Sequence, residues 1–249
     1  MIDFHSHVLP HIDDGAKDVE TAVQMLEESK RQGVRTVICT PHYYGKKRSP
    51  ERFIEKRRAA YAALSARVPE GIELRFAAEV YFTADSVVSF EELSMLCIEN
   101  TRYIMIELPF TPKYEERLFE KLEAFISETD CVPLIAHVDR YPAILKKPSI
   151  LRRLAGMGCL FQVNAEAFFT QEVKGFAMAL LKKGMVHAVG SDMHNMGDRA
   201  PNMQAFCSVL EGLPAQFQEN LIDAEAAILE NRAVIFEPKS VRKWFGKYF

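Results

Sequence analysis

Apolar runs of three to five residues recur along the chain, and between them lie longer stretches in which apolar residues return every three or four positions. The first pattern marks a strand buried on both faces, the second an amphipathic helix. Seven runs read as strands: residues 2–4, 36–39, 74–78, 103–106, 133–136, 159–163 and 186–189. Helical periodicity predicts helices over 19–32, 51–67, 113–129 and 171–183, with Gly33, Gly71, Gly158 and Gly184 stopping or following four helices. Strand and helix in alternation argue for a parallel sheet covered on both sides. No Ser/Gly/Pro-rich linker, repeat or low-complexity tract interrupts the pattern, so residues 1–249 are expected to form one domain. A closed α/β barrel is preferred, with a doubly wound open sheet as its competitor.

Composition adds limits rather than direction. With 48% hydrophobic residues the chain can bury a sizeable core, and a formal net charge of -3 gives no global attraction to nucleic acid or to an anionic membrane. An anionic substrate must therefore be held by local charge. The start Met1-Ile2-Asp3-Phe4-His5 lacks the basic and apolar character of a signal peptide, and no segment approaches ~18 consecutive apolar residues; the expectation is a cytoplasmic protein without membrane insertion. The cysteines, Cys39, Cys97, Cys131, Cys159 and Cys207, are odd in number, scattered and mostly inside apolar runs, which reads as five reduced core thiols. In the last stretch, basic residues mix with Trp244, Phe245, Tyr248 and Phe249; such a tail is expected to dock on its own domain.

The chemistry gathers where the strands end, which in barrels is where function sits. His5 and His7 flank Ser6 at the end of the first strand, and the alternation of a strand points both imidazoles the same way. The second strand runs into Pro41-His42, the third into Glu79, the fourth into Glu107, the fifth into His137, and the seventh into Asp192-Met193-His194. Asp14, in the Asp13-Asp14-Gly15 turn, offers a further carboxylate. Helix N-caps explain one or two such residues, not a set of this size. Nine candidate ligands exceed the needs of one catalytic ion, so a cluster of two or three is the economical reading, and mixed imidazole and carboxylate ligation suits manganese, iron or zinc. His11, in a loop, and His187, near a strand start, read as structural.

Adjacent ions lower the pKa of a bound water and clamp the attacking and leaving oxygens of a displacement at phosphorus, which is phosphoester hydrolysis. Arg140 and Arg199 sit close in sequence to His137 and His194, and a guanidinium fork matches two phosphate oxygens. Their competing role is a surface ion pair with Asp139 or Asp198. No cysteine has an arginine six residues on, as a thiol phosphatase would require, and neither a phosphate-binding P-loop nor a nucleophile elbow occurs.

In order, His5-x-His7, Pro41-His42, Glu79, Glu107, His137 and Asp192-x-His194 resemble the polymerase and histidinol phosphatase (PHP) superfamily. Within it, Met1 to His7, Asp13-Asp14-Gly15, Thr40-Pro41-His42, Ile106 to Pro109, Ala136 to Tyr141 and Gly190 to Asn195 are similar to the bacterial manganese-dependent tyrosine phosphatases encoded with capsule and exopolysaccharide genes. The similarity is legible to about residue 205. It implies a distorted (β/α)7 TIM-like barrel (the PHP fold) with a trinuclear site: His5, His7, Glu79 and Asp192 on one ion, Glu79, Glu107 and His137 on a second, and His42, His194 and Asp14 on a third. It also implies that Arg140 and Arg199 bind phosphate, that a metal-bound hydroxide attacks, and that the substrate is the phosphotyrosine tail of a membrane-associated bacterial tyrosine kinase. Asp139 stands where a glutamate is expected, which leaves the surroundings of His137 open. The Tyr43-Tyr44-Gly45-Lys46-Lys47-Arg48 loop is either a grip for an acidic, aromatic peptide or a solvated basic loop. Rival readings are a histidinol-phosphate phosphatase, a metal-dependent amidohydrolase, and a non-catalytic metal-binding interaction module.

Overall fold

In the computed structural model the described residues are 1–86, 88–244 and 247–248. Nine parallel segments build the centre: β1 (Ile2–Ser6), β2 (Thr36–Cys39), β3 (His42–Tyr43), β4 (Glu73–Phe76), β5 (Glu79–Tyr81), β6 (Tyr103–Glu107), β7 (Val132–Ile135), β8 (Leu160–Asn164) and β9 (Ala188–Gly190). They pair as β1-β2-β4 and β3-β5-β6-β7-β8-β9. The two sheets are one curled layer. Pro41, which has no N–H to donate, separates β2 from β3, while the Glu79 N–H to Pro41 carbonyl bond (3.1 Å) and the Ala77 N–H to Cys39 carbonyl bond (2.9 Å) carry the pairing across the break. Counting β2/β3 and β4/β5 as one bent strand each gives the seven strands expected from the sequence.

The edges of the layer meet. Ser6 and Met193 form a parallel bridge, Asp192 N–H donates to the His5 carbonyl (2.8 Å), and His7 N–H donates to the Met193 carbonyl (2.9 Å). A Cβ at Gly190 would lie 2.5 Å from the His5 Cβ, so only glycine lets β9 approach β1 this closely.

Helices cover the outer face: α1 (Val19–Arg31), α2 (Pro50–Ser65), α3 (Phe90–Ser94), α4 (Glu116–Glu128), α5 (Pro142–Lys146), α6 (Ser149–Gly156), α7 (Lys174–Lys182), α8 (Met203–Glu211) and α9 (Ala215–Leu229). α1 shows why such segments form: the Asp18 carboxylate caps the Thr21 N–H (2.7 Å), Ala22, Val23, Met25 and Leu26 face the core, and Gly33 follows the helix at φ 90°. Gly158 and Gly184 likewise adopt positive φ directly after the caps of α6 and α7, while Gly71, also at positive φ, lies in the turn that leads from α2 to β4. α8 and α9 carry the chain past the region that sequence motifs made legible. Near the end, β10 (Lys243–Trp244) pairs with β11 (Lys247–Tyr248), and Tyr248 packs on Phe176 of α7 at 5.1 Å. To that extent the tail docks on the barrel; Phe245 and Phe249 lie outside the described residues. No helix among the described residues is long and apolar enough to cross a membrane.

Candidate metal centre

All nine residues singled out in the sequence converge at the C-terminal ends of the strands, and all but His42 and Asp14 are buried. Their nitrogen and oxygen atoms fall into three groups whose members lie within 4.8 Å of one another: His5, His7 and Asp192; His42, Glu79 and Glu107; and His7, Asp14, His42 and His194. His137 reaches Glu79 at 2.7 Å and Glu107 at 3.7 Å. The grouping differs from the family-derived one in placing His42 also beside Glu79 and Glu107, and His7 also beside Asp14.

The imidazoles are oriented from behind. His7 Nδ1–H donates to Asp13 Oδ2 (2.7 Å), and the same carboxylate accepts the His42 N–H (2.9 Å) and the Gly15 N–H (3.0 Å). Burial alone would raise the pKa of Asp13, but the neighbouring His7 charge and these three bonds hold it well below the usual carboxylate range. Gln162 Oε1 accepts the backbone N–H of His137 (2.6 Å), so it is the acceptor end of that amide, and the contact with His5 Nδ1 (3.2 Å) must be donated by the ring. Gln162 Nε2 passes the order on to Asn164 Oδ1 (3.0 Å), and Asn164 Nδ2 donates to Asp192 Oδ2 (3.0 Å). His194 Nδ1 donates to the Asp192 carbonyl (2.9 Å). With Nδ1 engaged in each of the three rings, Nε2 of His5, His7 and His194 faces inward, the arrangement that suits metal ligation.

Several features fit a cation there. His5 Nε2 and His7 Nε2 stand 3.1 Å apart, with Glu79 Oε2 at 3.4 and 3.3 Å and Asp192 Oδ1 at 3.6 and 3.5 Å. Buried His42 Nδ1, Glu79 Oε2, His137 Nδ1 and His194 Nε2 have no hydrogen-bond partner among the described residues; His42 Nδ1 and Glu79 Oε2 are 2.8 Å apart but misaligned. Burial opposes charge on His5, yet Glu79 and Asp192 raise its pKa; burial likewise opposes charge on His7, yet Asp13 and Glu79 raise it. A field that draws protons onto buried imidazoles draws metal ions by the same Coulomb attraction. Burial and the adjacent Glu79 push Glu107 up to about 7, the mark of a crowded pair of carboxylates that a shared cation relieves. Backbone strain sits here as well: His137 (φ 29°) and Asp192 (φ 54°) occupy left-handed conformations that cost non-glycine residues roughly 1–3 kcal/mol.

The arginines are close but not where a surface ion pair would put them. Arg140 Nη1 and Arg199 Nη2 both reach Asp192 Oδ2, at 2.9 and 2.8 Å, rather than Asp139 or Asp198. They border a cavity of ≈ 330 Å³ with Asp139, Asn164, Glu166 and Asn202. Asp139, pushed up to about 7 by burial, accepts the Asn164 N–H (2.9 Å), so its short side chain fixes the end of β8. Phe110, exposed at the mouth, lies against His137 (5.6 Å) with the Arg140 guanidinium 5.3 Å from its centroid.

Sequence reasoning missed Asp13 as the partner of His7, Gln162 and Asn164 on the one strand without a candidate ligand, and Phe110. Buried amides within an apolar run were the available signal for Gln162 and Asn164. Of the loop after His42, Tyr43 belongs to the core, packed on Phe53 at 5.2 Å, whereas Tyr44 sits 5.4 Å from His42 with Lys47 over its ring. His187 is structural, accepting the Phe161 N–H through Nδ1 (3.0 Å).

Comparison with known proteins places this geometry. The family model described as capsular polysaccharide synthesis, CpsB/CapC, matches residues 1–227, beyond the limit visible from motifs. The tyrosine-protein phosphatase CpsB of Streptococcus pneumoniae is 33% identical over 82% of this chain and 87% of its own length. The tyrosine-protein phosphatase YwqE of Bacillus subtilis (strain 168) is 32% identical over 99% of both chains. A solved structure from work on YwqE from Bacillus subtilis and CpsB from Streptococcus pneumoniae, described there as unique metal-dependent tyrosine phosphatases, matches with a TM-score of 0.80 and 26% identity. It covers 98% of this chain and 100% of that one.

Proposed function

The chain belongs to the CpsB/CapC family of capsular polysaccharide synthesis, and on that premise we propose that it is a metal-dependent protein-tyrosine phosphatase acting on the phosphotyrosine tail of a membrane-associated bacterial tyrosine kinase. Family membership leaves no room for the amidohydrolase reading. The observation that carries the proposal is the set of inward Nε2 atoms and buried, partnerless carboxylate and imidazole atoms around His5, His7 and Glu79. In this reading His5, His7, Glu79 and Asp192 hold one ion, Glu79, Glu107 and His137 a second, and His42, His194 and Asp14 a third. Manganese is the metal we propose, ahead of iron and zinc, since oxygen donors make up nearly half of the set.

Ions bound there supply Lewis acidity and a lowered pKa for a coordinated water. The protein's own residues do the rest. Asp13, Gln162 and Asn164 fix the ligands, so that little reorganisation is needed during turnover. Arg140 and Arg199 each spend one nitrogen on Asp192 and keep other N–H donors for phosphoryl oxygens. Phe110, beside His137 and Arg140, offers an aromatic face to the phenyl ring of the substrate. Tyrosine phosphate needs little acid help, because its leaving phenolate has a pKa of about 10.

The test is turnover with manganese on phosphotyrosine peptide, phosphoserine peptide, histidinol phosphate and a nucleic-acid phosphodiester. Preference for phosphotyrosine, loss of activity with chelator, and folded but inactive His5→Ala and Asp192→Ala are expected. Preference for histidinol phosphate would move the chain to that PHP activity, and absence of all turnover would make it a binding module.

A further inference from the structure

Beside the centre, between the N-terminal approach to α4 and the α5–α6 segment, runs a groove of ≈ 1000 Å³ that the chemistry above does not use. Its floor is apolar, from Tyr114, Phe119, Ala143 and Ile150, and its rim carries Lys113, Lys146 and Lys147. These lysines are exposed, and none of them pairs with a carboxylate among the described residues. Arg153 is different: it is held by Glu116 and stacked 3.9 Å over the Phe119 ring, so that pair neutralises itself. Against Glu115, the three lysines leave a local positive excess on a chain whose formal net charge is -3.

Tyr114 is only 7% exposed and forms part of the groove wall, its buried hydroxyl without a hydrogen-bond partner among the described residues. The groove also lies close to the metal centre: behind its wall the Tyr114 ring packs 6.4 Å from the buried Tyr141 ring, which lies 5.3 Å from His137. Three to four residues of extended peptide span about 10–14 Å, enough to cover a distance of that order.

We propose that this groove docks the acidic residues flanking the scissile phosphotyrosine, with carboxylates on Lys113, Lys146 and Lys147 and the intervening side chains on the apolar floor. The proposal rests on the tyrosine phosphatase reading and deepens it: the enzyme selects phosphotyrosine in an acidic sequence, not phosphotyrosine alone.

Two phosphotyrosine peptides test it, one with glutamates two to four residues from the phosphotyrosine and one with glutamines there, beside p-nitrophenyl phosphate, which is too short to reach the groove. The native protein is expected to show a KM about three- to tenfold lower for the glutamate peptide at low salt, as a few exposed charge pairs give, with kcat alike. In Lys146→Glu/Lys147→Glu that advantage should vanish or reverse, while kinetics on p-nitrophenyl phosphate hold. Equal KM for both peptides on the native protein, or an undiminished preference in the double variant, overturns the groove assignment. If neither peptide is hydrolysed, the substrate reading itself fails; fluorescence anisotropy of the two labelled peptides then still decides the groove, since equal affinities on the native protein overturn it and a lysine-dependent preference supports it.

Discussion

Gln162→Met tests whether β8, the strand without a ligand, sets the metal centre from behind. The substitution keeps length and approximate volume but removes an oxygen that accepts the His137 N–H at 2.6 Å and the His5 ring N–H at 3.2 Å, and an amide that donates to Asn164 at 3.0 Å. Gln162 is fully buried, so no water replaces the lost acceptor. Each orphaned buried donor costs about 1–3 kcal/mol. Freed from Gln162, His5 can take the other tautomer or rotate, and loss of such a supporting contact typically lowers metal affinity by about 10–100-fold. Two measurements separate the effects: the urea midpoint of chelator-treated protein reports the orphaned donors, and manganese titration against a chromophoric chelator reports the imidazole orientation. Gln162→Glu retains an acceptor oxygen for both donors and should recover most of the affinity. A Gln162→Met protein that is less stable yet binds manganese as the native chain does would reduce Gln162 to a packing residue and refute the orientation argument.

The other expectations are independent of it. Arg199→Ala should lower kcat on phosphotyrosine peptide by about a hundredfold or more, since losing a donor aimed at developing charge costs ~2.7–4 kcal/mol; Arg199→Lys should recover only part, and near-native turnover would confine Arg199 to holding Asp192. Replacing all five cysteines, in a variant shown by circular dichroism to be folded, should leave turnover per site nearly unchanged. Cys39 and Cys159 are buried with thiol pKa values pushed up by desolvation, and Cys97 and Cys131 share a thiol hydrogen bond at 3.6 Å without a disulfide; loss of turnover in the metal-loaded variant would contradict this. Burial lowers His187 to about 3 from an ordinary 6.5. Above pH 6.5 the ring is neutral folded or unfolded; as pH falls from 6.5 towards 3 only the unfolded chain takes the proton, so stability is lost by up to ~1.4 kcal/mol per pH unit. Urea midpoints of native protein and His187→Asn between pH 6.5 and 4 should diverge accordingly, and parallel curves would show that His187 titrates in the fold.

The sequence by itself determined the strand and helix alternation and the set of candidate ligands at the strand ends, because both follow from short-range rules. A strand buried on two faces must be apolar, its last residue emerges at the rim, and His5 and His7 share a face through the two-residue period. The family likeness then supplied a grouping that spacing alone does not contain. What the tertiary structure decided concerns partners brought from distant strands. Asp13 and Asp14 are indistinguishable as letters, yet the turn tightened at Gly15 buries one against His7 and leaves the other exposed near His42 and His194. Gln162 and Asn164 look like polar interruptions of an apolar run until the curl of the sheet sets them between His5, His137 and Asp192. Arg140 and Arg199 each have an aspartate next to them in sequence, and both bypass it for Asp192: the meeting of β9 with β1 at Gly190 carries that carboxylate into the centre, whereas Asp198 is exposed to solvent and Asp139 is buried with its carboxylate turned to the Asn164 N–H.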